Sequence, residues 1–220
     1  MWKGPLPWLK PAVFVGSLFP VFRLGAAAAR GELGANPIAT ALNQLGLLTL
    51  TFLIAALACT PLKLVFGWTW PIRIRRMLGL FAFFYASLHF LTYAGLDQVL
   101  DLKAIFADIT KRPFIAVGFA AFVLLVPLAA TSTDAMVRRL GYVRWKRLHR
   151  LAYLAAILGV IHFVWRVKKD VSQPVAYGAV LAVLLSTRVV AYFWKRLKQR
   201  VSRGIPATMA AGETETRSGS

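Results

Sequence analysis

Six apolar stretches of roughly twenty residues each leave this chain few ways to fold. They run over about Pro11–Ala29, Gln44–Leu62, Met77–Leu96, Phe114–Ala130, Leu148–Trp165 and Val175–Phe193. Each is long enough to cross a hydrocarbon core roughly 30 Å thick as a single helix. In lipid the backbone must satisfy its own hydrogen bonds within the segment, which selects helices. The expected fold is therefore all-α, a polytopic membrane protein with six transmembrane helices in a bundle. That domain should occupy residues 1–200, with residues 201–220 as a disordered cytoplasmic tail, because GIPATMAAGETETRSGS has no apolar periodicity. The first stretch follows Lys3 and Lys10 like a secretory signal, but its length and the five spans behind it make an uncleaved helix the expectation.

Composition agrees: 58% of residues are hydrophobic and the mean hydropathy is +0.62. The formal charge of +19 would suggest nucleic acid if the basic residues shared one solvated face. They sit instead between apolar runs, so nucleic acid is not an expected partner and anionic lipid is. One side of the membrane collects Lys3, Lys10, Lys63, Arg73, Arg75, Arg76, Arg138, Arg139, Arg144, Lys146, Arg147, Arg150 and the Lys195-Arg196 tail. The other side has Arg30, Lys103, Lys111, Arg112, Arg166, Lys168 and Lys169, diluted by Glu32, Asp97, Asp101, Asp108 and Asp170. Basic loops stay in the cytoplasm, so both termini are expected there. Pro61, Pro71, Pro113 and Pro174 should fall at span edges or in loops, and Pro20 and Pro127 inside spans, as kinks. Cys59, the lone cysteine, excludes an intrachain disulfide, a thiolate zinc site and a Cys-ligated iron–sulfur cluster.

Ionisable groups inside a bilayer are expensive and usually functional, so the three histidines carry the chemistry. His149 and His162 lie near the two ends of WKRLHRLAYLAAILGVIHFVW, separated by about 20 Å of helix. His89, in RRMLGLFAFFYASLHFLTYAG, sits about a dozen residues from the start of its span, and His162 lies at a comparable depth. Two neutral imidazoles matched in depth can face each other across a bundle, as axial ligands of a low-spin b-type haem do. No CxxCH motif is present, so that haem would be held noncovalently. The competing reading is a histidine merely satisfied by a backbone carbonyl.

His149 has three readings open: ligand to an inner haem, contact to a propionate or flavin phosphate, or an interfacial helix cap. A thirteen-residue step turns an ideal helix by about 220°, so His149 and His162 share a face only if the helix kinks or frays. Arg75, Arg76, Arg147 and Arg150 crowd the same end, where a forked guanidinium suits propionates or a flavin phosphate. Arg23 and Arg188 lie within apolar runs and either pair with a propionate or snorkel. Trp68, Trp70, Trp145 and Trp165 read as interfacial belt residues. There is no Gly-rich phosphate loop behind a strand and no room for a soluble nucleotide-binding domain. Reducing equivalents must therefore come from another molecule.

Ordered blocks through most of the chain, GELGANP, IRIRRMLGLFAFFYASLHFLTY, ITKRPF, TSTDAM and WKRLHRLAYLAAILGVIHFVW, resemble the MsrQ (YedZ) family of the ferric-reductase-like transmembrane group. The resemblance implies that His89, His149 and His162 are the haem-associated histidines, holding one or two b-type haems, with flavin mononucleotide (FMN) as a further cofactor. It implies a subunit of the bacterial inner membrane that passes electrons to MsrP, a periplasmic molybdenum enzyme that reduces methionine sulfoxide in proteins. The donor would be the quinone pool or a cytosolic flavin reductase. Position 75 is arginine, where the wider group has an inner histidine, and no flavin/nicotinamide domain is fused to the chain. Two other functions compete: a cofactor-free transporter or scaffold, and a stand-alone quinol or metal-ion reductase.

Overall fold

A computed structural model of the chain describes residues 7–167 and 170–204. Nine α-helices account for nearly all of the described residues: α1 (Leu9–Ala29), α2 (Pro37–Phe66), α3 (Trp70–Thr92), α4 (Leu102–Lys111), α5 (Pro113–Ala130), α6 (Asp134–Leu140), α7 (Tyr142–Leu148), α8 (Leu151–Arg166) and α9 (Ser172–Gly204). Six helical segments are long and apolar enough to cross a membrane, with α3 continuing through a π-helical turn, Tyr93–Asp97, and α7 and α8 together forming the fifth. The chain is thus an all-α, multi-pass membrane protein of six spans. Its contacts divide it into two units, Met1–Leu181 and Ala182–Ser220. Residues 205–220, most of the expected tail, lie outside the described residues; residues 201–204 continue α9.

Helix ends are set by local chemistry. Asn36 caps α2 by accepting the Ala39 amide at 3.0 Å, and Pro37 follows at the first helical position, where no amide is needed. Gly67, at φ +71°, closes α2 in the left-handed conformation that a side chain would resist. These signals make α2 longer than its apolar run. Pro61 is consequently inside α2 and not at its edge, contrary to expectation, while Pro71 and Pro113 do sit in the first turns of α3 and α5. Pro20 and Pro127 are interior, as expected.

Burial follows the membrane rather than water. Only 11% of the α1 span window is buried, against 44% of that of α2, which makes α2 the helix the first unit is packed around. Phe14, Val15, Phe19 and Phe22 of α1 are exposed, an apolar surface suited to lipid. Lipid tails are as apolar as leucine, so helices associate by close packing and hydrogen bonds instead of hydrophobic exclusion. Ala82, Ala86, Ala155 and Ala156 are buried where α3 and α8 meet their neighbours, and α2 packs chiefly on α3 as α5 does on α8. Phe52 of α2 stacks on Tyr85 of α3 at 5.3 Å between ring centroids. The Tyr85 hydroxyl, fully buried, donates to the Ser17 carbonyl of α1 at 2.6 Å.

That hydroxyl is the polar tie between α1 and α3. Tyr85→Phe should cost about 1 kcal/mol and lower the melting temperature in detergent by about 2–4 °C. An unchanged melt would show that stacking alone seats α1.

Candidate functional site

Two helix pairs, α2 with α3 and α5 with α8, each present one histidine to one cavity. On α3, Nδ1 of His89 lies 3.0 Å from the Leu42 carbonyl of α2. On α8, Nδ1 of His162 lies 2.7 Å from the Phe114 carbonyl of α5. A carbonyl only accepts, so in both rings Nδ1 carries the proton and Nε2 is left with a lone pair. The same local device makes each bond possible. A glycine stands one helical turn after the accepting residue, Gly46 after Leu42 and Gly118 after Phe114. A side chain at that position would lie over the preceding turn and cover the carbonyl. A Cβ on Gly118 would come within 2.6 Å of His162 Nδ1, and one on Gly46 within 3.3 Å of His89.

The rings meet nearly at right angles, 83° between planes, with centroids 6.2 Å apart. They line a cavity of about 320 Å³, the lower range for small-ligand sites. Its wall is aromatic, with Phe90, Phe119, Phe122 and Phe163 among the lining residues. Phe90 stacks on Phe122 at 5.0 Å. Leu50, Leu53 and Leu125 close its apolar part, whereas Asp97, Arg112 and Arg166 line it where their helices end.

This donor set fits a tetrapyrrole iron. Both imidazoles line one cavity with Nδ1 engaged and Nε2 open, a donor chemistry suited to haem iron. Among the described residues no group of three or more His, Cys, Asp and Glu side chains could hold a metal by itself. Two ligands suffice where a macrocycle supplies the other four.

His149 is placed elsewhere and does not line the cavity. The helix breaks at this residue: Arg150 N–H bonds three residues back to Arg147, and α8 starts afresh at Leu151. The sequence reading allowed such a kink without locating it. The Thr131 hydroxyl donates to the Pro127 carbonyl at 2.6 Å, so it accepts from His149 Nε2 at 3.2 Å. Nε2 is then the protonated nitrogen and Nδ1 the available one. The Trp145 indole lies over the ring, 4.1 Å between centroids, and its N–H donates to the Thr131 carbonyl at 2.9 Å.

Of the four arginines expected at this end, Arg75 and Arg76 face His149, with Arg75 donating to the Thr60 hydroxyl at 3.4 Å. Arg76 bonds the Ser132 carbonyl and the Asp134 carboxylate, at 3.2 and 2.5 Å. That contact holds the Asp134 carboxyl below its ordinary value, so the pair survives until pH falls below the usual carboxylate range. Arg147 and Arg150 are exposed, as is Arg23 on α1. Trp68 and Trp70, also exposed, stack at the α2–α3 turn. Gly46, Gly118 and Arg166 are site residues that sequence reasoning passed over.

Residues 40–160 match the family described as ferric reductase like transmembrane component. The chain is 56% identical over 179 residues to the protein-methionine-sulfoxide reductase heme-binding subunit MsrQ of Rhodospirillum rubrum, a match covering 81% of this chain and 86% of that one. It is 52% identical over 180 residues to the MsrQ of Deinococcus radiodurans, covering 82% and 89%. Against the MsrQ of Herminiimonas arsenicoxydans it is 48% identical over 201 residues, covering 90% and 92%.

Gly118→Ala should push His162 off the Phe114 carbonyl and cost about 1–3 kcal/mol, while Gly46→Ala costs less because its clearance is larger. Melting in detergent and the imidazole signals of ¹⁵N-histidine protein would register both. Equal, negligible effects would mean that the glycines do not cradle the rings.

Proposed function

We propose a function for this chain from its membership: it belongs to the MsrQ family of haem-binding subunits of protein-methionine-sulfoxide reductase, within the ferric reductase like transmembrane group. The function is electron conduction across the bacterial inner membrane through a b-type haem held between His89 and His162. The observation that carries this reading is the pair of Nδ1-anchored imidazoles sharing one cavity. A haem bound there supplies one-electron chemistry. His89 and His162 would hold it through Nε2, while the carbonyls of Leu42 and Phe114 fix the tautomer and ring orientation and would raise ligand basicity. The phenylalanine wall keeps water from the site and lowers the local dielectric, which tunes the potential.

The excess of Lys and Arg supports a cytoplasmic location for the His149 end and both termini. Electrons then enter near His149 and leave near the mouth lined by Arg112 and Arg166. The Trp145–His149 stack and the Arg75 and Arg76 guanidiniums support an entry site for an aromatic, anionic donor group. FMN has that chemistry, and the exposed Arg147 and Arg150 are within the same basic end to meet its phosphate. Because His149 does not line the cavity between His89 and His162, it serves this contact rather than an iron held there. Quinone or a cytosolic flavin reductase is the source of electrons in this account. The acceptor is the periplasmic molybdenum enzyme MsrP. Reducing a sulfoxide to a thioether and water takes two electrons and two protons, so each turnover on the partner needs two one-electron passages through this chain.

Purified from haem-replete cells, the chain should show a reducible low-spin haem spectrum. His89→Ala and His162→Ala should each abolish it while the protein remains inserted and folded. His149→Ala should keep the spectrum and slow its reduction from the donor side. A low-spin signal that survives loss of either His89 or His162 would contradict the assignment.

A further inference from the structure

The cavity is graded from an apolar end, Leu53 and Leu125, to a charged mouth, Asp97, Arg112 and Arg166. The two acidic groups near that mouth are already engaged. Asp108 takes Arg112 at 3.3 Å and the Tyr93 hydroxyl at 3.2 Å, and Asp97 takes the Gln98 amide at 2.9 Å. Arg166 is different. It is only partly exposed, it lines the cavity, and its charge reaches both imidazoles. Among the described residues no carboxylate lies within ion-pair distance of it. A half-buried guanidinium at the end of a membrane span needs an anion, since neither lipid tails nor neutral imidazoles can balance it. Its planar fork matches a carboxylate better than any other common anion except phosphate.

We infer that Arg166 anchors the carboxylate edge of the tetrapyrrole, fixing the propionates toward the mouth while the vinyl edge points into the apolar end; this rests on the proposed haem site. Arg112 remains with Asp108 and frames the opening. The same guanidinium chemistry would also suit a lipid headgroup phosphate, and the test separates the two.

Full-length chain expressed without haem, in detergent, would be titrated with haem b and with its dimethyl ester, which lacks the carboxylates. Wild type should bind haem about tenfold or more tighter than the ester. Arg166→Gln should lose that preference while binding the ester as wild type does, and Arg166→Lys should keep part of it. Lys103→Gln, which removes a charge at the same end away from the cavity, should leave it intact. The inference is overturned if wild type shows no preference, if Arg166→Gln keeps it, as a lipid-phosphate role would give, or if Arg166→Gln weakens both ligands equally. A wild-type chain that takes up neither ligand would instead remove the haem site itself.

Discussion

The hydrogen bond from an imidazole Nδ1 to a backbone carbonyl, made twice and each time over a glycine, is the constraint on which the site depends. In lipid a helix carbonyl is already paired within its own helix, and its second lone pair is normally roofed by the side chain one turn on. Gly46 and Gly118 remove that roof at Leu42 and Phe114. The bonds give His89 and His162 a partner that leaves Nε2 open, so the cost of placing imidazoles in a membrane is met without consuming the Nε2 lone pairs. They also tie α3 to α2 and α8 to α5 beside the shared cavity.

The rest of the molecule arranges charge around that neutral centre. Aromatic rings, Phe90, Phe119, Phe122 and Phe163 among them, line the cavity around it. At one end Arg75 and Arg76 face the His149–Trp145 stack, and Asp134 takes part of the charge of Arg76. At the other, Arg166 stands over the cavity without an ion-pair carboxylate among the described residues. Apolar packing contributes less than in a soluble protein because lipid competes for it. Small residues, Ala82, Ala155 and Ala156 among them, let the helices approach closely enough for the polar contacts to form.

All six spans were legible, because a run of apolar residues as long as a bilayer is thick has no other stable use. Their ends were less so: the Asn36-Pro37 cap and the Gly67 turn extend α2 beyond its apolar run and draw Pro61 inside. Helix α4 escaped notice because ten residues of mixed polarity between two spans read as a loop. The break at His149 has no proline or glycine to announce it. His89 and His162 could be paired from depth alone, yet the carbonyls that hold them leave no mark in a sequence. A glycine one turn past an unremarkable Leu42 or Phe114 becomes a signal only when the facing histidine is known. Arg166 was counted only as one more basic residue in a topology argument, which drew attention away from its place at the cavity.

The central claim is that one iron sits between His89 and His162. An experimental structure of the haem-loaded chain in detergent or nanodiscs tests it most directly. The account predicts iron bonded to Nε2 of both residues, with each Nδ1 still on its carbonyl. Iron on His149 with the cavity between His89 and His162 free of haem, or iron bonded through Nδ1, would contradict it.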